Sequence, residues 1–198
     1  CRVPTRFHLH RKYKKFSNIR IFGMGGSSLG IKTIIQTLSK EDDFKKNVFL
    51  LDNLDGQDFE RIFDKINIKS TNFVFISKSG STFEIKKLLK ETIKKLASKS
   101  IKISSSIYFI TENNNGYLNK FGKKENIPTF YINPYIGGRF SVLSKCSLIP
   151  CQMMDINWKK IIMGALSSYE IILKSKFIPI NSLANFYYKN LNKGKTNT

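Results

Sequence analysis

The chain has 198 residues, 41% hydrophobic and 13% aromatic with 16 phenylalanines, a composition that supplies one buried core and excludes a disordered chain. Its 34 Lys and Arg against 14 Asp and Glu give a formal net charge of +20, which raises the question of a nucleic-acid partner. The charge is mostly lysine scattered along helix-like segments such as 86–102, KKLLKETIKKLASKSIK, without arginine clusters or a base-reading motif, so no nucleic-acid partner is expected.

Residues 1–15, CRVPTRFHLHRKYKK, are basic and irregular. Beyond them, short apolar runs at Ile19 to Phe22, Val48 to Leu51, Phe73 to Ile76, Ile107 to Thr111 and Thr129 to Ile132 alternate with helix-length segments. Strands buried on both faces read as continuous apolar runs, so the alternation predicts βαβ units and a five-stranded parallel sheet. The first helix is expected to begin near Ser27 or Ser28, good N-caps, and to reach Leu38. The second spans about Gly56 to Ile66 with Phe59, Ile62, Phe63 and Ile66 as core. A third starts at Ser81 or Thr82 and runs to about Ala97, with Glu84 in its first turn suiting the positive helix end. ENNNG at 112–116 reads as a polar turn, followed by a short helix through Tyr117 to Gly122. After Pro150 the pattern changes to two helices without strands, Trp158 to Leu173 and Ser182 to Leu191, joined through Pro179.

Three loops carry the chemistry. GMGGSSLG at 23–30 and SKSGST at 77–82 each follow a strand and open a helix, where free N–H groups and the positive end of the helix dipole favour an anion. GGRFS at 137–141 sets Arg139 beside two glycines, which admit close backbone approach to a planar cationic fork. Helix capping would use the same serine hydroxyls, and in so lysine-rich a chain Lys78 says less than they do.

In order and character from about Phe16 to Leu191, these loops resemble the glucose-6-phosphate isomerase family of SIS-domain sugar isomerases, GGRFSVLS being its more particular signature. The resemblance implies an α/β, SIS-type three-layer fold with C-terminal linking helices. It implies a first SIS domain at 16–150 and, at 151–198, helices leading to a second SIS domain. It also implies interconversion of glucose 6-phosphate and fructose 6-phosphate through an enediol(ate), in glycolysis and gluconeogenesis. Ser77, Lys78, Ser79 and Thr82 would then anchor a hexose 6-phosphate, with Gly80 and Ser81 shaping the loop and Gly26 and Ser27 against the sugar; Gly138 would also bind the substrate. Gly80 departs from the bulky aromatic of many members. Arg139 would stabilise the enediolate, and Glu84 would support a catalytic histidine. The family's catalytic glutamate and its ring-opening histidine and lysine have no counterpart here, so a fragment of a longer isomerase is expected, homodimeric in its full-length form. The other reading is a sugar-phosphate-binding SIS module without isomerase activity, regulatory or amidotransferase-type.

Neither a metal nor another cofactor is expected. His8 and His10 lack zinc-ligand spacing to the cysteines, and Cys1, Cys146 and Cys151 are too few for a disulfide framework, which leaves reduced core thiols. No apolar run approaches the roughly 20 residues of a membrane span and no secretory signal is visible, so a cytoplasmic protein without a membrane partner is expected.

Overall fold

A computed structural model describes residues 16–38, 47–64, 66–174 and 179–192. Five strands, β1 (Asn18–Gly23), β2 (Asn47–Leu51), β3 (Thr71–Ile76), β4 (Ile107–Glu112) and β5 (Thr129–Ile132), form one parallel sheet in the order β2-β1-β3-β4-β5. The helices are α1 (Gly26–Leu38), α2 (Gly56–Asp64), α3 (Phe83–Ala97), α4 (Ile103–Ser106), α5 (Tyr117–Glu125), α6 (Lys145–Met153), α7 (Trp158–Lys174) and α8 (Pro179–Asn192). The expected α/β sheet flanked by helices is present. Expectations for His8, His10, Cys1 and the rest of 1–15 lie outside the described residues.

Successive strand residues point to opposite faces, and here the two faces differ in kind. Phe22, Phe73, Phe75 and Phe109 join Phe59, Ile62 and Phe63 of α2 and Ile85, Leu88, Leu89 and Leu96 of α3 in one buried cluster. The rings of Phe22 and Phe75 stack at 4.6 Å, and Phe75 meets Phe109 edge-on at 6.2 Å. The alternate residues Ile19, Ile21, Val74, Ile76 and Ile110 are fully buried too; α1 packs against β1 and α6, with Ile31, Ile34, Leu148 and Ile149 inside. The lysines of α3 lie outside this core, with Lys87, Lys90 and Lys94 exposed. On β1, Arg20 is buried, donates to the Ile19 and Asn47 carbonyls and lies 5.9 Å over the Phe49 ring. Burial lowers its pKa to about 10, so it stays charged at neutral pH.

Several bounds differ from expectation. Helix α1 begins at Gly26, because Ser28 donates its hydroxyl to the Gly25 carbonyl instead of accepting from the helix. Asp55 opens α2, its carboxylate accepting from Gln57 N at 2.7 Å, and that helix ends at Asp64. Helix α5 runs to Glu125, three residues beyond Gly122, where Asn126 in the left-handed conformation closes it. Helix α3 stops at Ala97, as expected, whereas α8 begins at Pro179, not Ser182. Helix α6 is additional: Ser144 caps it by accepting from Cys146 N, and Pro150 lies inside it. Cys146 and Cys151 are buried free thiols, and burial pushes Cys151 up to about 12.

The chain divides into two compact units, Cys1–Trp158 and Lys159–Thr198. In the second, α7 and α8 keep Met163, Ile171, Leu173, Phe186, Tyr188 and Leu191 exposed. Among the described residues no helix is long and apolar enough to cross a membrane.

Truncating Phe75 would leave a cavity among stacked rings. Phe75→Ala is expected to cost about 3–5 kcal/mol in urea unfolding, whereas Phe140→Ala, at a residue 80% exposed, should stay within about 0.5 kcal/mol.

Candidate functional site

Strand β1 lies between β2 and β3, so the chain reverses its direction of travel across the sheet there. In open parallel sheets the crevice at the strands' carboxyl ends at such a point is the place for a ligand. The register pairs Gly23 with Ile76, so GMGGSS and SKSGST leave the sheet side by side.

The second loop is closed on itself and held from behind. Ser77, 2% exposed, lies 2.7 Å from Thr82 through their hydroxyls, and Gly80 N donates to the Ser77 carbonyl. Gly80 has φ +66°, and a Cβ there would come within 2.9 Å of Thr111 Oγ1. Both facts favour glycine and account for the missing side chain. Behind the loop, Tyr117 N donates to Ser81 Oγ, Asn114 Nδ2 to the Ser79 carbonyl and Leu118 N to the Gly80 carbonyl. Helix α3 then starts at Phe83, and Thr82 precedes it without a side-chain cap bond because its hydroxyl is turned to Ser77.

The third loop reaches the first through close backbone contact and one serine hydroxyl. Gly138–Phe140 make one 3-10 turn, and Ser141 Oγ donates to the Gly138 carbonyl at 2.7 Å with the Gly26 carbonyl at 3.2 Å. A Cβ on Gly26 would lie 2.5 Å from the Gly138 carbonyl carbon and 2.8 Å from Arg139 N. Glycine at 26 is what lets the two loops touch.

Between the loops lies an open cleft of about 470 Å³, lined by Met24, Gly26, Ser27, Lys78, Ser79, Thr82, Glu112 and Gly138. Six residues singled out from the sequence therefore meet: Gly26, Ser27, Lys78, Ser79, Thr82 and Gly138. Ser77, Gly80 and Ser81 build the loop without lining the cleft. Arg139 is exposed and Glu84 is partly buried in the first turn of α3; neither lines it. Lys78 Nζ donates to the Pro134 carbonyl at 2.6 Å, which ties it to the segment leading into GGRFS. Sequence reasoning missed Met24 and Glu112. Glu112 was concealed in a run read as a turn; its place at the carboxyl end of a strand was the available signal. Donor hydroxyls, one ammonium and the free N–H groups of the first turn of α3 suit the cleft to a small anion.

The family model for phosphoglucose isomerase matches residues 9–198. This chain belongs to that family. It is 32% identical to the glucose-6-phosphate isomerase of Campylobacter jejuni over 189 residues, covering 94% of this chain and 46% of the relative. Against the enzyme of the same name from Methanocaldococcus jannaschii the figures are 32%, 89% and 44%. The crystal structure of a glucose-6-phosphate isomerase from Chlamydia trachomatis matches with a TM-score of 0.75 over 83% of this chain and 32% of that one; at 23% identity the likeness is one of fold. The chain spans less than half the length of these curated relatives.

Gly26→Ala drives a methyl into the Gly138 backbone, and overpacking of this kind costs about 1–3 kcal/mol. A thermal melt should fall by several degrees. Gly56→Ala, with nothing within 4 Å of its added Cβ, should leave the melt within about a degree.

Proposed function

We propose that this chain carries the sugar-phosphate-anchoring part of an aldose-ketose isomerase that interconverts glucose 6-phosphate and fructose 6-phosphate. The observation that carries the reading is the convergence of all three motif loops on one cleft at the β1/β3 switch point. Ser27, Ser79 and Thr82 would supply hydroxyl donors to the substrate, with Ser77 holding Thr82 in place and Gly80 and Ser81 fixing the loop. Anchoring the unreactive phosphate lets binding energy position C1 and C2, between which the proton moves through a cis-enediol(ate). Arg139, whose backbone N lies at the contact with Gly26, would stabilise the enediolate charge once substrate and the rest of the family's length are present. Glu84 would act in support of a histidine supplied from there. The exposed apolar faces of α7 and α8 fit helices that pack on a second SIS domain. In its full-length form the protein would work as a cytoplasmic homodimer in glycolysis and gluconeogenesis.

The coverage of less than half of each relative favours binding without turnover by this chain alone. Calorimetry is expected to show binding of glucose 6-phosphate and none of glucose, and Thr82→Ala should weaken it about tenfold without a loss of folding. Equal affinity for the two sugars would overturn the assignment. A coupled assay on the purified chain should detect no conversion of fructose 6-phosphate; robust conversion would show that a residue within these 198 acts as the base. In the full-length form, Arg139→Ala should lower turnover on the order of 10² to 10³ with a small change in KM, the signature of an oxyanion stabiliser. An arginine that only decorates a turn would leave turnover unchanged.

A further inference from the structure

Glu112 ends β4 and is the one carboxylate among the residues lining the cleft. Its backbone is fully committed. Glu112 N donates to the Lys78 carbonyl at 3.1 Å, and its own carbonyl accepts from Asn114 N and from Asn119 Nδ2. These bonds fix its Cα against the SKSGST loop. The partly buried side chain itself makes no hydrogen bond or ion pair among the described residues: the nearby ammonium of Lys78 is turned to the Pro134 carbonyl instead. A carboxylate here opposes an anion, since like charges in one cleft repel. An ionised carboxylate is also an acceptor with no proton to give, so the partner that satisfies it is a hydroxyl or amine donor. The cleft therefore has two chemical characters: hydroxyl donors from Ser27, Ser79 and Thr82, and one unengaged acceptor on the neighbouring strand.

We propose that Glu112 is a specificity-determining residue that accepts hydrogen bonds from the hydroxyls of a phosphorylated polyol, so that the cleft selects a sugar phosphate over a bare phosphate. The inference rests on the sugar-phosphate reading of the site and adds to it a residue and a basis for discrimination. A free anion meets the repulsion with no compensation. A sugar phosphate offsets it with charge-assisted hydrogen bonds, which are about twice as strong as neutral ones. Glutamine at 112 would keep one acceptor oxygen and lose the charge, whereas alanine loses both.

The test is calorimetry of the chain and of Glu112→Gln and Glu112→Ala, each with glucose 6-phosphate and with inorganic phosphate, after circular dichroism has shown a native spectrum. The wild-type chain should prefer glucose 6-phosphate. Glu112→Ala should reduce that preference about tenfold, with inorganic phosphate bound as well as before or several-fold tighter, and Glu112→Gln should fall between. An unchanged preference in Glu112→Ala, while the wild type discriminates, overturns the role of Glu112 and leaves the sugar-phosphate reading standing. Parallel loss of both ligands in both variants also overturns it, since it marks a carboxylate that only shapes the loop. A wild-type chain that binds neither ligand overturns the sugar-phosphate reading and this inference with it.

Discussion

The carboxyl end of the sheet depends on one backbone contact, that of Gly26 against Gly138 and Arg139 N. Parallel pairing of β1 with β3 suffices to bring the first two loops together, because Gly23 and Ile76 share a register position. Nothing in the sheet compels the third loop to join them. It follows β5 at the far edge, three strand positions from β1, and crosses back over the sheet to reach α1. The crossing works because α1 presents glycine at 26 and again at 30, where a Cβ would lie 3.0 Å from Val142 Cα. Ser141 adds a hydroxyl at the seam, and buried α6 fixes the chain just beyond it.

This placement separates scaffold from chemistry. The phenylalanine cluster between the sheet and helices α2 and α3 lies on the face away from α1 and α6. Both faces of the central strands β1, β3 and β4 are buried, so these strands hold their carboxyl ends at fixed spacing. The loops are then free to carry polar side chains, because their backbone groups are satisfied locally and by the turn that follows β4. The large positive charge belongs to neither part. It is carried mainly by lysines such as those along the solvent face of α3, and within the cleft Lys78 alone represents it.

The central strands β1, β3 and β4 were legible because burial on both faces makes them continuous apolar runs, and the edge strands by their apolar and aromatic content; Thr129 to Ile132 even coincides with β5. The three loops were legible because glycine and hydroxyl residues cluster right after apolar runs. Helix starts were less so. Ser27 and Ser28 have the composition of caps, but a hydroxyl can equally donate back to its own turn, as Ser28 does. Helix α6 escaped because Pro150 reads as a break, whereas a proline forfeits one hydrogen bond and can be outweighed by burial. Here nearly every residue from Cys146 to Met153 is buried. Glu112 escaped for a related reason: its polar neighbours look like a turn, while its backbone is still strand and its side chain already belongs to the cleft.

Nuclear magnetic resonance of the ¹⁵N-labelled chain titrated with glucose 6-phosphate tests most directly whether the three loops form one site. Amide shifts at Ser27, Ser79, Thr82 and Gly138 are expected to follow a single saturable isotherm and to be absent with glucose. Shifts confined to one loop, or spread without saturation over the lysines of α3, would contradict a shared site and leave the three motifs as separate turns on a parallel sheet.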